Sequence, residues 1–361
     1  MRASYDARAA RSTRAIDLLV VDDSAVVRET VRMLLARAPD IAVSTAADPV
    51  FAATKMRDAR PDVILLDLEM PRMDGLTFLR QLMASDDPVP VIVCSGLAQA
   101  GTDAALRALE EGAVEVIAKP DLNVRGFLEE SRQMLLAAIR GAASARVLTR
   151  APRRTAPAPA PRSTVPRLLS ATTDKVIVVG ASTGGVEALR QLLEALPPSC
   201  PGLVIVQHMP AGFTAAFAAR LNQTCAIGVK EAESGDRVID GRALIAPGNR
   251  HIRLERDGAK YVVRLSDEGP VSGHRPSVDV LFHSAAASAG RNALGVIMTG
   301  MGADGAEGMR ALHDAGATTF AQDEASCVVF GMPKEAIARG AVDEVVPLSR
   351  LASRLLSAHL V

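Results

Sequence analysis

Residues 63–79 read VILLDLEMPRMDGLTFL. Four aliphatic residues run without a break into Asp67, and a proline and a glycine, Pro71 and Gly75, then punctuate the chain before Leu76, Phe78 and Leu79. An apolar run of this length with no alternation describes a strand covered on both faces, and such strands belong to parallel sheets flanked by helices. The neighbouring segments repeat the theme: IDLLVVD (16–22), IAVSTA (41–46), VPVIVCS (89–95) and VEVIAK (114–119). Each is followed by a helix-period segment; Val27, Val31, Leu34 and Leu35 form one apolar stripe of the 3.6-residue repeat. The expected fold of residues 16–140 is a doubly wound five-stranded α/β domain.

Further along, residues 141–173 carry six arginines, five prolines and no acidic residue, with no sustained apolar period. Alternating Ala-Pro favours extended polyproline II, so this stretch reads as a semi-rigid linker. Beyond it, VIVVG (176–180), LVIVQH (203–208), ALIAP (243–247) and ALGVIMTG (293–300) describe a second parallel α/β domain over residues 174–361. HIRLERDGAKYVVRL (251–265) reads as a hairpin turning at Asp257-Gly258.

Composition removes several classes of function. Lys+Arg and Asp+Glu balance at 41 each, which leaves no electrostatic footprint for nucleic acid or an anionic membrane. Cys94, Cys200, Cys225 and Cys327 form no CxxC pair, which argues against zinc and against a disulfide framework and fits a reducing cytoplasm. No apolar run approaches the roughly 18 residues of a spanning helix, so direct membrane insertion is not expected. The arginines near the start, Arg2, Arg8, Arg11 and Arg14, precede no apolar core of a signal peptide. With no Trp and only 3% aromatics, both cores must be aliphatic.

In doubly wound sheets, ligands bind at the carboxyl ends of the strands. Here Asp22 and Asp23 close the first strand, Asp67 the third, Ser95 the fourth and Lys119 the fifth. Three neighbouring carboxylates repel one another unless a cation neutralises them, and a small hard cation with oxygen ligands suits that task. A lysine at the rim would pair with the anion formed when one carboxylate is phosphorylated. This constellation, with DLEMPRMDGLTFL (67–79), resembles the response-regulator receiver domain. The resemblance implies that Asp67 takes phosphate from a chemosensory histidine kinase. It further implies that Asp22, Asp23, Asp67 and the carbonyl of Glu69 hold Mg²⁺, and that Ser95 and Lys119 contact the phosphoryl group. Val116 stands where many receivers carry an aromatic switch residue, so a rotating aromatic is not expected.

The second domain opens with KVIVVGASTGGVEAL (175–189), a strand, tight glycine turn and helix. The glycines satisfy neither GxGxxG nor the Gly-Lys-Ser/Thr of a P-loop. Residues 180–184 do satisfy GxSxG, a turn that exposes Ser182 beside the backbone N–H groups of a helix start. A serine nucleophile needs a base, and the base an orienting acid. His208 ends the strand LVIVQ, and Asp304 lies at a helix start beyond ALGVIMTG; an N–H near Met301 offers itself to an oxyanion. His251 and His274 are the rival bases, whereas His283, His313 and His359 sit in helical patterns as surface or packing residues. The chain order Ser, His, Asp differs from that of α/β-hydrolases.

Taken together, GASTGG, VQHMP, APGNRHI, HRPSVDVLF and TGMGADGAEGM resemble the catalytic domain of the chemotaxis protein-glutamate methylesterase (CheB) family, and the receiver in front completes that family's arrangement. The resemblance implies hydrolysis of glutamyl methyl esters, and deamidation of glutamines, on methyl-accepting chemoreceptors. It implies a Ser182–His208–Asp304 triad with no cofactor for hydrolysis, and Thr183 trimming the pocket or hydrogen-bonding the base. The sequence opposes two rival readings: the long, non-basic α/β second half speaks against a DNA-binding response regulator, and the intact triad against an idle docking scaffold.

Overall fold

The computed structural model describes residues 14–96, 99–119, 127–145 and 175–359, which fall into two compact units, one on either side of the proline-rich stretch. In the first unit, β1 (Ile16–Val21), β2 (Ile41–Ala46), β3 (Val63–Asp67), β4 (Val91–Ser95) and β5 (Glu115–Ala118) form a parallel sheet of order β2-β1-β3-β4-β5. Five helices follow the strands: α1 (Ala25–Leu35), α2 (Pro49–Asp58), α3 (Gly75–Met83), α4 (Gln99–Glu110) and α5 (Phe127–Ser144). Every residue of β3 and β4 is buried, as their unbroken aliphatic runs require of central strands. The caps are local chemistry: Ser24, Asp48 and Asp74 accept hydrogen bonds from the first turns of α1, α2 and α3.

Helix α5 continues to Ser144, four residues into the stretch read as linker. Ala138, Ile139 and Ala142 of its last turns are buried, and that packing outweighs the linker-like composition of GAAS. The proline-rich residues from 146 onward, and residues 1–13, lie outside the described residues.

The second unit is built on a seven-stranded parallel sheet. Its strands are β6 (Val176–Ala181), β7 (Gly202–Gln207), β8 (Gly228–Glu231), β10 (Arg242–Ile245), β13 (Ala293–Ile297), β14 (Thr318–Gln322) and β15 (Glu344–Val346), in the order β15-β14-β13-β6-β7-β10-β8. A short strand, β9 (Arg237–Val238), joins the hairpin β11 (His251–Asp257) and β12 (Lys260–Ser266) in a separate antiparallel sheet. Asp257 pairs with Lys260, so the hairpin turns at Gly258-Ala259, one residue later than the Asp-Gly pair suggests.

Helices α6 (Gly185–Glu194), α7 (Phe213–Thr224), α8 (Val278–Ser288), α9 (Ala306–Asp314), α10 (Met332–Ala338) and α11 (Leu348–His359) complete the unit. Val278, at the start of α8, packs into space left by two glycines. A Cβ at Gly180 would come within 2.2 Å of its Cγ1, and one at Gly305, whose φ is +90°, within 2.5 Å. Glycine at both positions therefore lets β6, α8 and the start of α9 close together.

Candidate active site

Ser182, His208 and Asp304 lie beyond the ends of β6, β7 and β13 respectively, three neighbouring strands of the sheet. Ala181 and Gln207 are register partners, so Ser182 and His208 are the next residues of two paired strands, and the His208 N–H donates to Ala181 O at 3.1 Å. Three residues, Ser182, Thr183 and Gly184, make the turn between β6 and α6. Gly184, with φ +76°, is the N-cap, and a Cβ there would meet Val328 at 2.5 Å. The turn is fastened by Ser182 N–H to Thr299 O (3.0 Å), Gly185 N–H to Ser182 O (2.7 Å) and Thr299 Oγ1 to Thr183 O (2.9 Å).

Asp304 is almost fully buried and accepts four hydrogen bonds: from His208 Nε2 (2.8 Å), Ser277 Oγ (2.7 Å), Val278 N–H (2.8 Å) and Asp279 N–H (3.1 Å). Burial alone would raise its carboxyl. The hydrogen bond from His208, with those amides and the Ser277 hydroxyl, instead holds it well below the usual carboxylate range. An ionised Asp304 can only accept, so His208 carries its hydrogen on Nε2. Nδ1 is then the bare nitrogen, buried and without a partner among the described residues.

The Gly300 carbonyl accepts from Gly331 N–H (3.0 Å) and Met332 N–H (2.9 Å). Across a trans peptide the N–H points opposite to the carbonyl, so Met301 N–H is aimed away from that loop. A Cβ at Gly300 would lie 2.8 Å from the Cβ of Ser182, which puts this peptide directly beside the serine.

The rival histidines are held differently. His251 is fully buried, with Nε2 donating to Gly269 O (2.9 Å) and Nδ1 accepting from Ser277 N–H (3.2 Å), so both its nitrogens are engaged. His274 lies flat on His208, ring centroids 3.8 Å apart and planes 9° from parallel. Burial, and then the neighbouring His208, push its imidazole down to about 3. Neither contact is visible in sequence. Nor is Gln207, whose amide Nε2 donates to both Ser182 O and His208 O at 3.0 Å, or Ser277, whose hydroxyl reaches Asp304. The one available signal was HRPSVDVLF, where a serine precedes an apolar helix in the manner of an N-cap.

The first unit gathers its predicted residues as well. Carboxylate oxygens of Asp22, Asp23 and Asp67 lie within 4.8 Å of one another. Lys119 Nζ donates to Asp67 Oδ2 at 2.7 Å and stands 3.7 Å from Asp22 Oδ2. Burial, then the charge of Asp67, raise the Asp22 carboxyl, and its Oδ2 is buried with no hydrogen-bond partner among the described residues. Burial would lower Lys119, but its bond to Asp67 and the two carboxylates raise it. Ser95 is buried at the end of β4, and Glu69 is exposed with its N–H on Asp67 Oδ1 (3.2 Å). An under-satisfied carboxylate cluster of this kind fits a hard divalent cation. Val116 is buried in β5. Arg72, in the left-handed region at φ 71°, pairs with the buried Asp48 and ties the loop after Asp67 to α2.

An acidic pocket of receiver type and a serine, histidine and aspartate at the strand ends of a second α/β unit define a response regulator whose output domain is a hydrolase. Residues 18–125 match the response regulator receiver domain model, and residues 177–355 match the CheB methylesterase model. The protein-glutamate methylesterase/protein-glutamine glutaminase 3 of Geobacter metallireducens is 56% identical over 95% of this chain and 99% of its own length. A counterpart from Anaeromyxobacter dehalogenans is 59% identical over 96% and 97%. The crystal structure of the Thermotoga maritima CheB methylesterase catalytic domain aligns with a TM-score of 0.50 at 40% identity, covering 52% of this chain and 98% of that one. The chain therefore belongs to the CheB family of protein-glutamate methylesterases. No helix among the described residues is long and apolar enough to cross a membrane.

The half-buried His274 gives the second unit a pH signature. Its folded value, about 3, lies below the ordinary 6.5, so between those values the unfolded chain binds a proton that the folded chain does not. That share of stability is complete above pH 6.5 and is lost as pH falls toward 3, with a slope of up to about 1.4 kcal/mol per pH unit. Thermal or urea unfolding between pH 7.5 and 5 should show a shallower loss for His274→Phe than for the native chain. Equal slopes would refute the assignment.

Proposed function

We propose that the second domain hydrolyses glutamyl methyl esters, and deamidates glutamines, on methyl-accepting chemoreceptors through Ser182, His208 and Asp304. The observation that carries this reading is the 2.8 Å contact from His208 Nε2 to a fully satisfied Asp304, which leaves Nδ1 bare at the strand end next to Ser182. Ser182 Oγ attacks the side-chain carbonyl while its proton passes to Nδ1, and Asp304 stabilises the imidazolium so formed. The oxyanion is received by Met301 N–H, with Thr183 shaping the wall beside it. His208 returns its proton to the leaving methanol, or to ammonia from a glutamine. Water then attacks the acyl-enzyme, giving up a proton to Nδ1, which passes it to the departing Ser182 Oγ; the freed glutamic acid ionises to its carboxylate. Chemoreceptor methylation helices lie in the cytoplasm, the compartment proposed for this chain.

Control is assigned to the first domain. A chemosensory histidine kinase phosphorylates Asp67, and Lys119 and Ser95 hold the new phosphoryl oxygens. Mg²⁺ would be held by Asp22, Asp23, Asp67 and the Glu69 carbonyl, and supplies the positive charge that phosphoryl transfer to a carboxylate needs. Phosphorylation adds about −1.5 to −2 charge beside Lys119. A bias of only about 1.4 kcal/mol on a two-state restraint changes its equilibrium tenfold, so hydrolysis can be released without large rearrangement.

Methanol release from a methylated chemoreceptor tests the hydrolase. Ser182→Ala and His208→Ala should each lower kcat by about 10⁴-fold or more, and to a similar extent, because members of such a triad act as a unit. Near-native release by Ser182→Ala would rule the mechanism out. For the receiver, Asp67→Asn should abolish Mg²⁺-dependent phosphate incorporation from acetyl phosphate and leave full-length hydrolysis low with any phosphodonor. A fragment beginning near Asp174 should outpace the unphosphorylated full chain. A slower fragment at saturating receptor would make the receiver an activator rather than a restraint.

A further inference from the structure

His274 makes no side-chain hydrogen bond among the described residues, yet the chain around it is closely fixed. Val271 N–H donates to His274 O (3.0 Å) and His274 N–H to Val271 O (2.9 Å), closing a two-residue turn. The turn residues Ser272 and Gly273 have φ values of 53° and 79°, the left-handed pair of a type I′ turn. A serine in that region is strained, and strain of this kind persists where surrounding contacts over-determine the position. Here Ser272 Oγ donates to Asp279 Oδ2 (3.0 Å), and the other oxygen of Asp279 accepts from Gly308 N–H (2.7 Å). On the far side, Arg275 O accepts from Asn249 N–H (3.2 Å) and Arg275 Nε donates to Asn249 Oδ1 (2.8 Å). All this framework delivers one contact of consequence, the face of His274 against the face of His208.

The geometry of His208 explains why such a contact matters. Asp304 holds Nε2, the ring nitrogen closer to the Cβ–Cγ axis, so this hydrogen bond has little leverage against rotation of the ring about χ2. That torsion is broad for histidine. Rotation would carry Nδ1, the atom farther from the axis, out of line with Ser182. A flat neighbour on the ring face opposes the rotation directly. Because it is held neutral, this neighbour also adds no charge against the imidazolium that forms on His208.

We propose that His274 is a positioning residue: its ring face locks the plane of the His208 imidazole so that Nδ1 stays directed at Ser182 while Nε2 stays on Asp304. The inference rests on the reading of Ser182 and His208 as nucleophile and base, and its test separates the two. The rate of Ser182 labelling by diisopropyl fluorophosphate in the full-length chain reads serine activation independently of any receptor. The labelled fraction at completion counts competent sites, so loss of folded protein does not mimic a slower rate. His274→Ala should slow labelling by about tenfold or more, as a small misplacement of a catalytic group does. His274→Phe, which keeps a flat face and has no titrating nitrogen, should restore the rate to within about threefold of native. A native rate in His274→Ala, or a His274→Phe rate as slow as that of His274→Ala, would overturn the proposal. Failure of the native chain to label at Ser182 would instead overturn the nucleophile assignment, and the proposal with it.

Discussion

A carboxylate taken out of water must find hydrogen-bond donors or lose its charge, and the second domain is arranged around one that has found four. Asp304 collects the start of α8 through Ser277 and two backbone amides, and the end of β7 through His208. The positive end of a helix and a histidine thus converge on one anion. Each partner is itself held. Ser277 N–H is bound by the buried His251, and Val278 fills the gap left by Gly180 and Gly305. The same charge that knits these elements together also decides which nitrogen of His208 is bare. Stability and chemistry here share one interaction.

The first domain solves a related problem by another route. Asp22 and Asp67 are as deeply buried as Asp304, but Lys119 is the cation that bridges them, and Asp22 keeps an unsatisfied oxygen. The raised Asp22 carboxyl beside a raised Lys119 ammonium describes a pocket with negative charge in excess of its donors. Asp304 is complete as it stands, whereas this cluster is poised for a cation and for a phosphoryl group. That difference suits one site that holds a fixed geometry and another that changes state.

Much of this was legible in the chain because parallel strands covered on both faces leave an unmistakable trace. VILLD, VIVCS, VIVVG and LVIVQ are buried throughout, and the residues that follow them fall at the sheet's carboxyl edge by topology alone. The strands that escaped are short or polar: GVKE of β8 and EVV of β15 are sheet edges, and TTFAQ of β14 opens on two threonines. The helical continuation to Ser144 depends on tertiary packing, which composition does not report. Within the site, the residue types at Ser182, His208, Asp304, Asp67 and Lys119 carry their chemistry openly. Ser277, Gln207 and the stacked His274 act through distances across 25 or more residues of chain, and no local pattern encodes those contacts.

The tautomer of His208 decides whether Ser182 has a base. Nitrogen-15 NMR of the full-length chain, labelled at histidine and assigned by comparison with His208→Gln, reads the protonation of each ring nitrogen directly. The contact with Asp304 places a hydrogen on Nε2, the role of base requires a bare Nδ1 in the resting enzyme, and Asp304→Asn should disturb that assignment. A resting ring protonated on Nδ1, whether as the other tautomer or as the imidazolium, would leave Ser182 without its base and contradict the arrangement from Asp304 outward.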